Sequence, residues 1–261
     1  MLSPVETLKA YSEAGVAKLN RPVLKMFILA IFAGMFIALG AVGNQIAPLS
    51  IPFPSVGKLA SATMFPVGLI LVTFLGAELF TGNNMLIMSV IDRKASVGRL
   101  FLNWAVVFAG NFVGSIIVVI IMTYSHLYSL YDGAFAEYVM SVAQAKVSLS
   151  FAEGLLRGIL CNVIVCLTVL MAISAKSAAG KVAVIFPPIA LFVVCGFEHC
   201  VANMYFIPAA IFTSYEYGLD AGAVNWGSLF ASNLLPVTIG NIIGGALIIG
   251  VGLKFAHKVK G

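Results

Sequence analysis

The feature that most constrains this chain is the return, six times in 261 residues, of apolar runs long enough to cross a lipid bilayer. At 1.5 Å of rise per residue, about 20 residues span the hydrocarbon core. Such runs can be drawn at about 23–46, 57–91, 99–125, 151–175, 182–214 and 226–256. Hydrophobic residues make up 61% of the chain and charged residues 10%, against about 45–50% and about 25% in soluble domains. An ordinary buried core does not explain that gap. The expected fold class is an all-α integral membrane protein with six transmembrane helices. Residues 1–22 are expected to form a cytoplasmic amphipathic helix, 23–256 a single six-helix membrane domain, and 257–261 a cytoplasmic tail. The first stretch is read as a surface helix and not a cleaved leader. It carries Glu6, Lys9, Glu13 and Lys18 beside an apolar stripe of Val5, Leu8, Val16 and Leu19.

The loops set the direction of the spans. With the N-terminus inside, twelve basic residues fall on the cytoplasmic side: Lys9, Lys18, Arg21, Lys25, Arg93, Lys94, Arg99, Lys176, Lys181, Lys254, Lys258 and Lys260. External loops hold two, Lys58 and Lys146, beside Asp132, Glu137, Glu153, Glu216 and Asp220. The asymmetry predicts both termini in the cytoplasm and a cell (inner) membrane location. Anionic headgroups of the lipid bilayer account for the net charge of +5, so no nucleic-acid partner is expected. Cys161, Cys166, Cys195 and Cys200 all lie in apolar stretches and read as small buried residues. No metal or other cofactor is expected, because Cys195, His199 and Cys200 offer three ligands where zinc takes four.

Segments two and five each exceed 30 residues and each carries a mid-span glutamate, Glu78 and Glu198. A carboxylate facing lipid is costly. A helix broken at that point, with irregular backbone buried in protein or lining a cavity, is the cheaper arrangement.

The two halves of the chain then match. Gly76-x-Glu78-x4-Asn83 recurs as Gly196-x-Glu198-x4-Asn203 at an offset of 120. Asn103-x6-Gly110-Asn111-x2-Gly114 recurs as Asn233-x6-Gly240-Asn241-x2-Gly244 at an offset of 130. Seven identities, all Gly, Asn or Glu, are not produced easily by apolar bias. With three spans per half, this is a 3+3 inverted-topology repeat with two broken helices. Gly76 and Gly196 would let the backbone turn. Glu78 and Glu198 are expected to accept from backbone N–H groups orphaned at the breaks, with direct contact to a solute as the alternative. Asn111 and Asn241 look like interhelical hydrogen-bonding positions beside close-packing glycines. Half-helices that point their N-termini inward favour an anion between them.

Gly76-Ala-Glu-Leu-Phe-Thr-Gly-Asn83 and Gly196-Phe-Glu-His-Cys-Val-Ala-Asn203 resemble the two signature stretches of the formate/nitrite transporter family. Arg157-Gly-Ile-Leu-Cys-Asn162 and Asn233-Leu-Leu-Pro236 look like further blocks of it, and the likeness runs along essentially the whole chain. The fuller Glu-Leu-Phe-Thr-Gly-Asn-Asn form at 78–84 looks more like the hydrosulfide branch and some other branches. The resemblance implies an aquaporin-like protomer in a homopentamer, with one pore per protomer and a small monovalent anion (formate, nitrite or hydrosulfide) as substrate. It also implies that Thr81 and His199 face each other at mid-pore with Asn162 nearby. Phe65, Leu69, Leu79 and Phe192 would form constrictions, and Lys146 would draw anions into the outer vestibule.

A bare anion in a dry constriction faces a desolvation penalty of several kcal/mol even after relaxation. Donors such as the Thr81 hydroxyl and the Asn162 amide could replace lost water, or the anion could cross as its neutral acid. A histidine, with a free pKa of about 6.5, is the natural mediator. Two rival functional readings of these residues compete. An aquaporin-like channel for a neutral solute would carry paired Asn-Pro-Ala, but Asn83 is followed by Asn84 and Asn203 by Met204. An intramembrane enzyme would use Glu78 and Glu198 as a dyad, yet their repeat-equivalent positions suit paired structural roles better. Arg157 is expected to pair with Glu153 and not with solute.

Overall fold

The computed structural model describes residues 1–257; the expected tail lies outside the described residues beyond His257. α1 (Pro4–Leu19) starts with a reciprocal capping box, in which Ser3 and Glu6 satisfy each other's backbone N–H. It buries one face, with Leu8, Tyr11, Ser12 and Leu19 turned inward. Pro22 ends the connection, and α2 (Val23–Ile46) is the first long apolar helix.

The second overlong segment is a series of short pieces. α3 (Pro54–Met64) bends at Phe65 into α4 (Pro66–Leu75), because Pro66 has no N–H to continue the ladder. Helix stops at Leu75 and restarts as α5 (Phe80–Asn83), which passes through a 3₁₀ turn into α6 (Ile87–Ile91). α7 (Val97–Tyr124) is uninterrupted. A helix absent from the sequence reading follows, α8 (Ala134–Val147), which buries Phe135, Val139 and Ala143. α9 (Phe151–Ser174) opens on a second capping box, Ser150 with Glu153. α10 (Ala178–Cys195) stops and α11 (Cys200–Tyr217) restarts, as in the second segment. The last span, Ser228–Ala256, alternates π and α geometry along its length.

Six helices are long and apolar enough to cross a membrane: Val23–Ile46, Pro54–Leu75, Val97–Tyr124, Phe151–Ser174, Ala178–Cys195 and Ser228–Ala256. They correspond to the six expected segments. Two pairs pack closely through the glycines that matched in sequence. A Cβ at Gly114 would collide with the Ile31 carbonyl of α2, and one at Gly244 with the Ile159 carbonyl of α9. Small residues allow backbones to approach this closely where lipid supplies no hydrophobic drive between helices. Large apolar side chains such as Leu24, Phe32, Phe101, Ile121 and Leu247 stay exposed around the outside, as a lipid-facing surface requires.

Candidate functional site

The two helix interruptions share a common backbone scaffold. Gly76 ends α4 at φ +63° and Gly196 ends α10 at φ +70°, a left-handed turn that glycine adopts without strain. The Glu78 N–H then donates to the Leu29 carbonyl at 3.2 Å, and the Glu198 N–H to the Arg157 carbonyl at 3.3 Å. Where helix restarts, the Phe80 N–H donates to Asn111 Oδ1 at 2.9 Å and the Cys200 N–H to Asn241 Oδ1 at 3.0 Å. The Asn111 amide donates to the carbonyls of Glu78 and Ala30, and the Asn241 amide to those of Glu198 and Gly158. The matched asparagines therefore take up the orphaned backbone groups that the sequence reading had given to the glutamates.

The glutamate side chains turn to cations instead, because a buried carboxylate needs a partner. Glu78 accepts from Lys18 Nζ at 3.0 Å, from Arg21, and from the Asn83 amide at 2.7 Å. Glu198 accepts from Lys146 Nζ at 2.9 and 3.0 Å and from the Asn203 amide at 2.7 Å. Asn83 and Asn203 also donate to Asn103 and Asn233. The cations come from α1 or the turn after it, and from α8. In sequence, one stands just before α2 and the other just before α9.

Two cavities approach the interruptions. One, of about 260 Å³, is lined by Lys58, Ser61, Phe65, Lys146, Phe192, Glu198 and His199. The other, of about 290 Å³, is lined by Tyr11, Lys18, Arg21, Leu69, Thr73, Leu79 and Lys181. The first takes the start of the Pro54–Leu75 run and the end of α10, and the second takes the end of that run and the start of α10. These two helices therefore run in opposite directions past a common centre. At that centre Thr81 Oγ1 lies 2.9 Å from His199 Nε2, both side chains buried. Phe65 meets Phe192 edge-on at 5.3 Å, and Phe192 stacks on the His199 ring at 6.2 Å. The Ala202 N–H donates to His199 Nδ1 at 3.1 Å, so Nδ1 is an acceptor and the proton of a neutral ring sits on Nε2, aimed at Thr81.

Among the other expected site residues, Leu69 and Leu79 line the second cavity, and Phe65 and Phe192 the first. Asn162 lines neither. Its amide donates to the carbonyls of Thr81 and Asn241 and to Asn84 Oδ1, which ties the first interruption to the last span. Lys146 is held by Glu198 and is not free at the cavity mouth. Arg157 lies 3.9 Å from Glu153 one turn away. Lys18, Arg21 and Tyr11, whose hydroxyl donates to the Gly82 carbonyl at 2.8 Å, were not singled out from sequence. The signal was present, since two mid-span carboxylates call for counter-ions.

Six apolar helices, two interruptions and two cavities on either side of a buried polar pair are the architecture of a multi-pass membrane transport protein. The profile of the formate/nitrite transporter family matches residues 5–255, and the chain belongs to that family. It is 42% identical to the Bacillus subtilis (strain 168) protein named "uncharacterized transporter YrhG", over 98% of this chain and 94% of that one. It is 38% identical to the formate channel FocA of Escherichia coli (strain K12), over 96% and 93%. Among solved structures, a pentameric formate channel with formate bound superposes with a TM-score of 0.80 at 34% identity, covering 90% of this chain and 98% of that one. An FNT family ion channel superposes with a TM-score of 0.86 at 29% identity, covering 96% and 98%.

Proposed function

We propose that this protein conducts small monovalent anions across the membrane, formate first among them and nitrite and hydrosulfide as close alternatives. The observation that carries the reading is the Thr81–His199 contact, 2.9 Å long, between one cavity lined by Phe65 and Phe192 and another lined by Leu69 and Leu79. Formate channels among its relatives support the choice of anion. The matched interruptions support a 3+3 inverted repeat whose second and fifth spans break in mid-membrane. The basic residues gathered on one side support cytoplasmic termini in the inner membrane, with 1–22 lying on its inner surface and 257–261 as a tail. A homopentamer, one path per protomer, follows the pentameric relative.

On this reading an anion leaves a cavity, passes Phe65 and Phe192 or Leu69 and Leu79, and meets the Thr81 hydroxyl and the His199 Nε2–H. These donors replace part of its lost hydration. Because Nδ1 already accepts from the Ala202 N–H, the ring is poorly arranged to pass a proton through itself. That supports a proton taken from cavity water when the anion crosses the apolar ring as its neutral acid. Asn162 acts from behind by fixing the Thr81 carbonyl.

The test is uptake of formate, nitrite and hydrosulfide into proteoliposomes at several pH values, with wild type and His199→Phe. Selective uptake that rises as pH falls, and that His199→Phe abolishes, is expected. Unchanged flux in the variant removes the histidine from the mechanism. Swelling with glycerol, without anion uptake, would replace this reading with a neutral-solute channel.

A further inference from the structure

Each cavity holds three cations, but most of that charge is already committed. In the first, Lys146 binds both oxygens of Glu198, while Arg157 pairs more loosely with Glu153 at 3.9 Å without a hydrogen bond. In the second, Lys18 and Arg21 both bind Glu78. A cation so held presents a dipole to an arriving anion and has fewer donors left to offer it. Lys58 and Lys181 remain. Each lines its cavity, and among the described residues neither makes an ion pair or a side-chain hydrogen bond.

Their placement is matched across the two halves. Lys58 lies in the first turns of α3 and Lys181 in the first turns of α10. They stand 18 and 15 residues ahead of Gly76 and Gly196, one helical turn apart in register. Each therefore sits at the mouth end of a helix whose other end reaches an interruption. The walls below them are apolar, with Phe65 and Phe192 in one cavity and Leu69 and Leu79 in the other. Low-dielectric walls focus the field of a free charge along the cavity axis and raise the local anion concentration.

From this we infer that Lys58 and Lys181 are the anion-capture sites of the two cavities. Lys146, with Lys18 and Arg21, instead serves to neutralise the buried glutamates. The inference rests on the anion-conducting reading and gives each mouth its own recognition residue, a free ammonium suited to a small carboxylate or other monovalent anion.

The test is formate uptake at low ionic strength in right-side-out and in inverted membrane vesicles. Lys58→Gln should raise the half-saturating concentration at one face alone by about threefold or more, with little change in maximal rate, and Lys181→Gln should do the same at the opposite face. Both should flatten the decline of uptake with added salt. Lys58→Arg and Lys181→Arg should restore wild-type values, which separates charge from folding. Lys9→Gln, on the exposed side of α1 and outside both cavities, should change nothing. Wild-type flux with unchanged half-saturation and salt dependence in the glutamine variants overturns the inference alone. Wild-type vesicles that pass no anion overturn the functional reading, and this one with it.

Discussion

The stretches Gly76–Asn83 and Gly196–Asn203 share their scaffold and differ in their chemistry. Glycine, glutamate and asparagine recur at the same three positions, and the glutamate–asparagine bonds of one stretch have counterparts in the other. Asn83 Oδ1 also accepts from Lys18 at 3.0 Å, while Asn203 Oδ1 has no partner among the described residues. At the positions between them the match ends. His199 stands where the first stretch has Leu79, and Thr81 where the second has Val201. One half thus supplies the ring and the other the hydroxyl, and each offers an apolar residue at its partner's polar position. The symmetric residues hold the interruptions open, and on the proposed reading the asymmetric ones are left to meet a solute.

The comparison breaks most easily at the carboxylates. Removing one partner of a buried ion pair costs about 3–5 kcal/mol, because the other charge is stranded. Glu198→Ala and Glu78→Ala should both lower the thermal unfolding midpoint in detergent, Glu198→Ala by more. The stranded Lys146 side chain is 15% exposed, whereas Lys18 and Arg21 are 28% and 22% exposed and can turn to water. Equal shifts would mean that solvent access does not set the difference. Next come Asn111→Ala and Asn241→Ala. Each strands a backbone N–H and the glutamate carbonyl, since the Ala30 and Gly158 carbonyls keep their intrahelical bonds. A buried group left without a partner costs about 1–3 kcal/mol. The same measurement checks them, and a neutral result in one half would show that the halves are not held alike.

Much of this arrangement was legible in the sequence, for definite physical reasons. The six spans follow from apolar length. The interruptions follow from glycine, glutamate and asparagine placed where lipid would forbid them, whereas the bend before Pro66 was not read from the sequence. What could not be read was which group answers which. Asn111 lies 31 residues from the Phe80 N–H that it caps, and no local pattern links the two. Lys18 and Arg21 have the same sequence signature whether they face water or fold onto a buried carboxylate. α8 went unseen because at 14 residues it is too short to span a bilayer and its apolar residues are interrupted by Glu137, Ser141, Gln144 and Lys146. The π geometry of the last span has no residue-level mark in the Gly-rich sequence around Gly244 and Gly245.

If the asymmetric residues are free of structural duty, Thr81→Val should leave the unfolding midpoint almost unchanged. Valine already fills the equivalent site at Val201, and the exchange removes one net hydrogen bond, worth about 1 kcal/mol. Anion flux should fall by about tenfold or more, because one of two central donors is gone. The converse change, Val201→Thr, should leave flux as it is. A Thr81→Val protein that unfolds readily would return threonine to the scaffold and erase the distinction between the two classes of residue.

The smallest expected effect separates the two elements that carry the glutamates' cations. α8 is held by apolar burial of Phe135, Val139 and Ala143, which protons do not alter, and by the Lys146–Glu198 pair, which α1 matches with Lys18–Glu78. α1 is also clipped by polar contacts. Ser12 donates to Asp92 at 2.6 Å, Lys254 pairs with Asp92 at 2.6 Å, and Ser89 donates to the Ser12 carbonyl at 2.8 Å. Burial raises the Asp92 pKa, but the bonds from Lys254 and Ser12 outweigh it and hold the carboxyl below the usual range. A carboxyl depressed in the folded state adds stability that is complete above its unfolded value of about 3.9 and fades as pH falls through the folded one. α1 should therefore stay docked at neutral pH and loosen only below about pH 4, while α8 holds. Hydrogen exchange of the two helices between pH 3 and pH 5 would show it, with Asp92→Asn removing the pH dependence from α1. Equal loosening of both helices would mean that the acid acts on the whole fold and not on this clip.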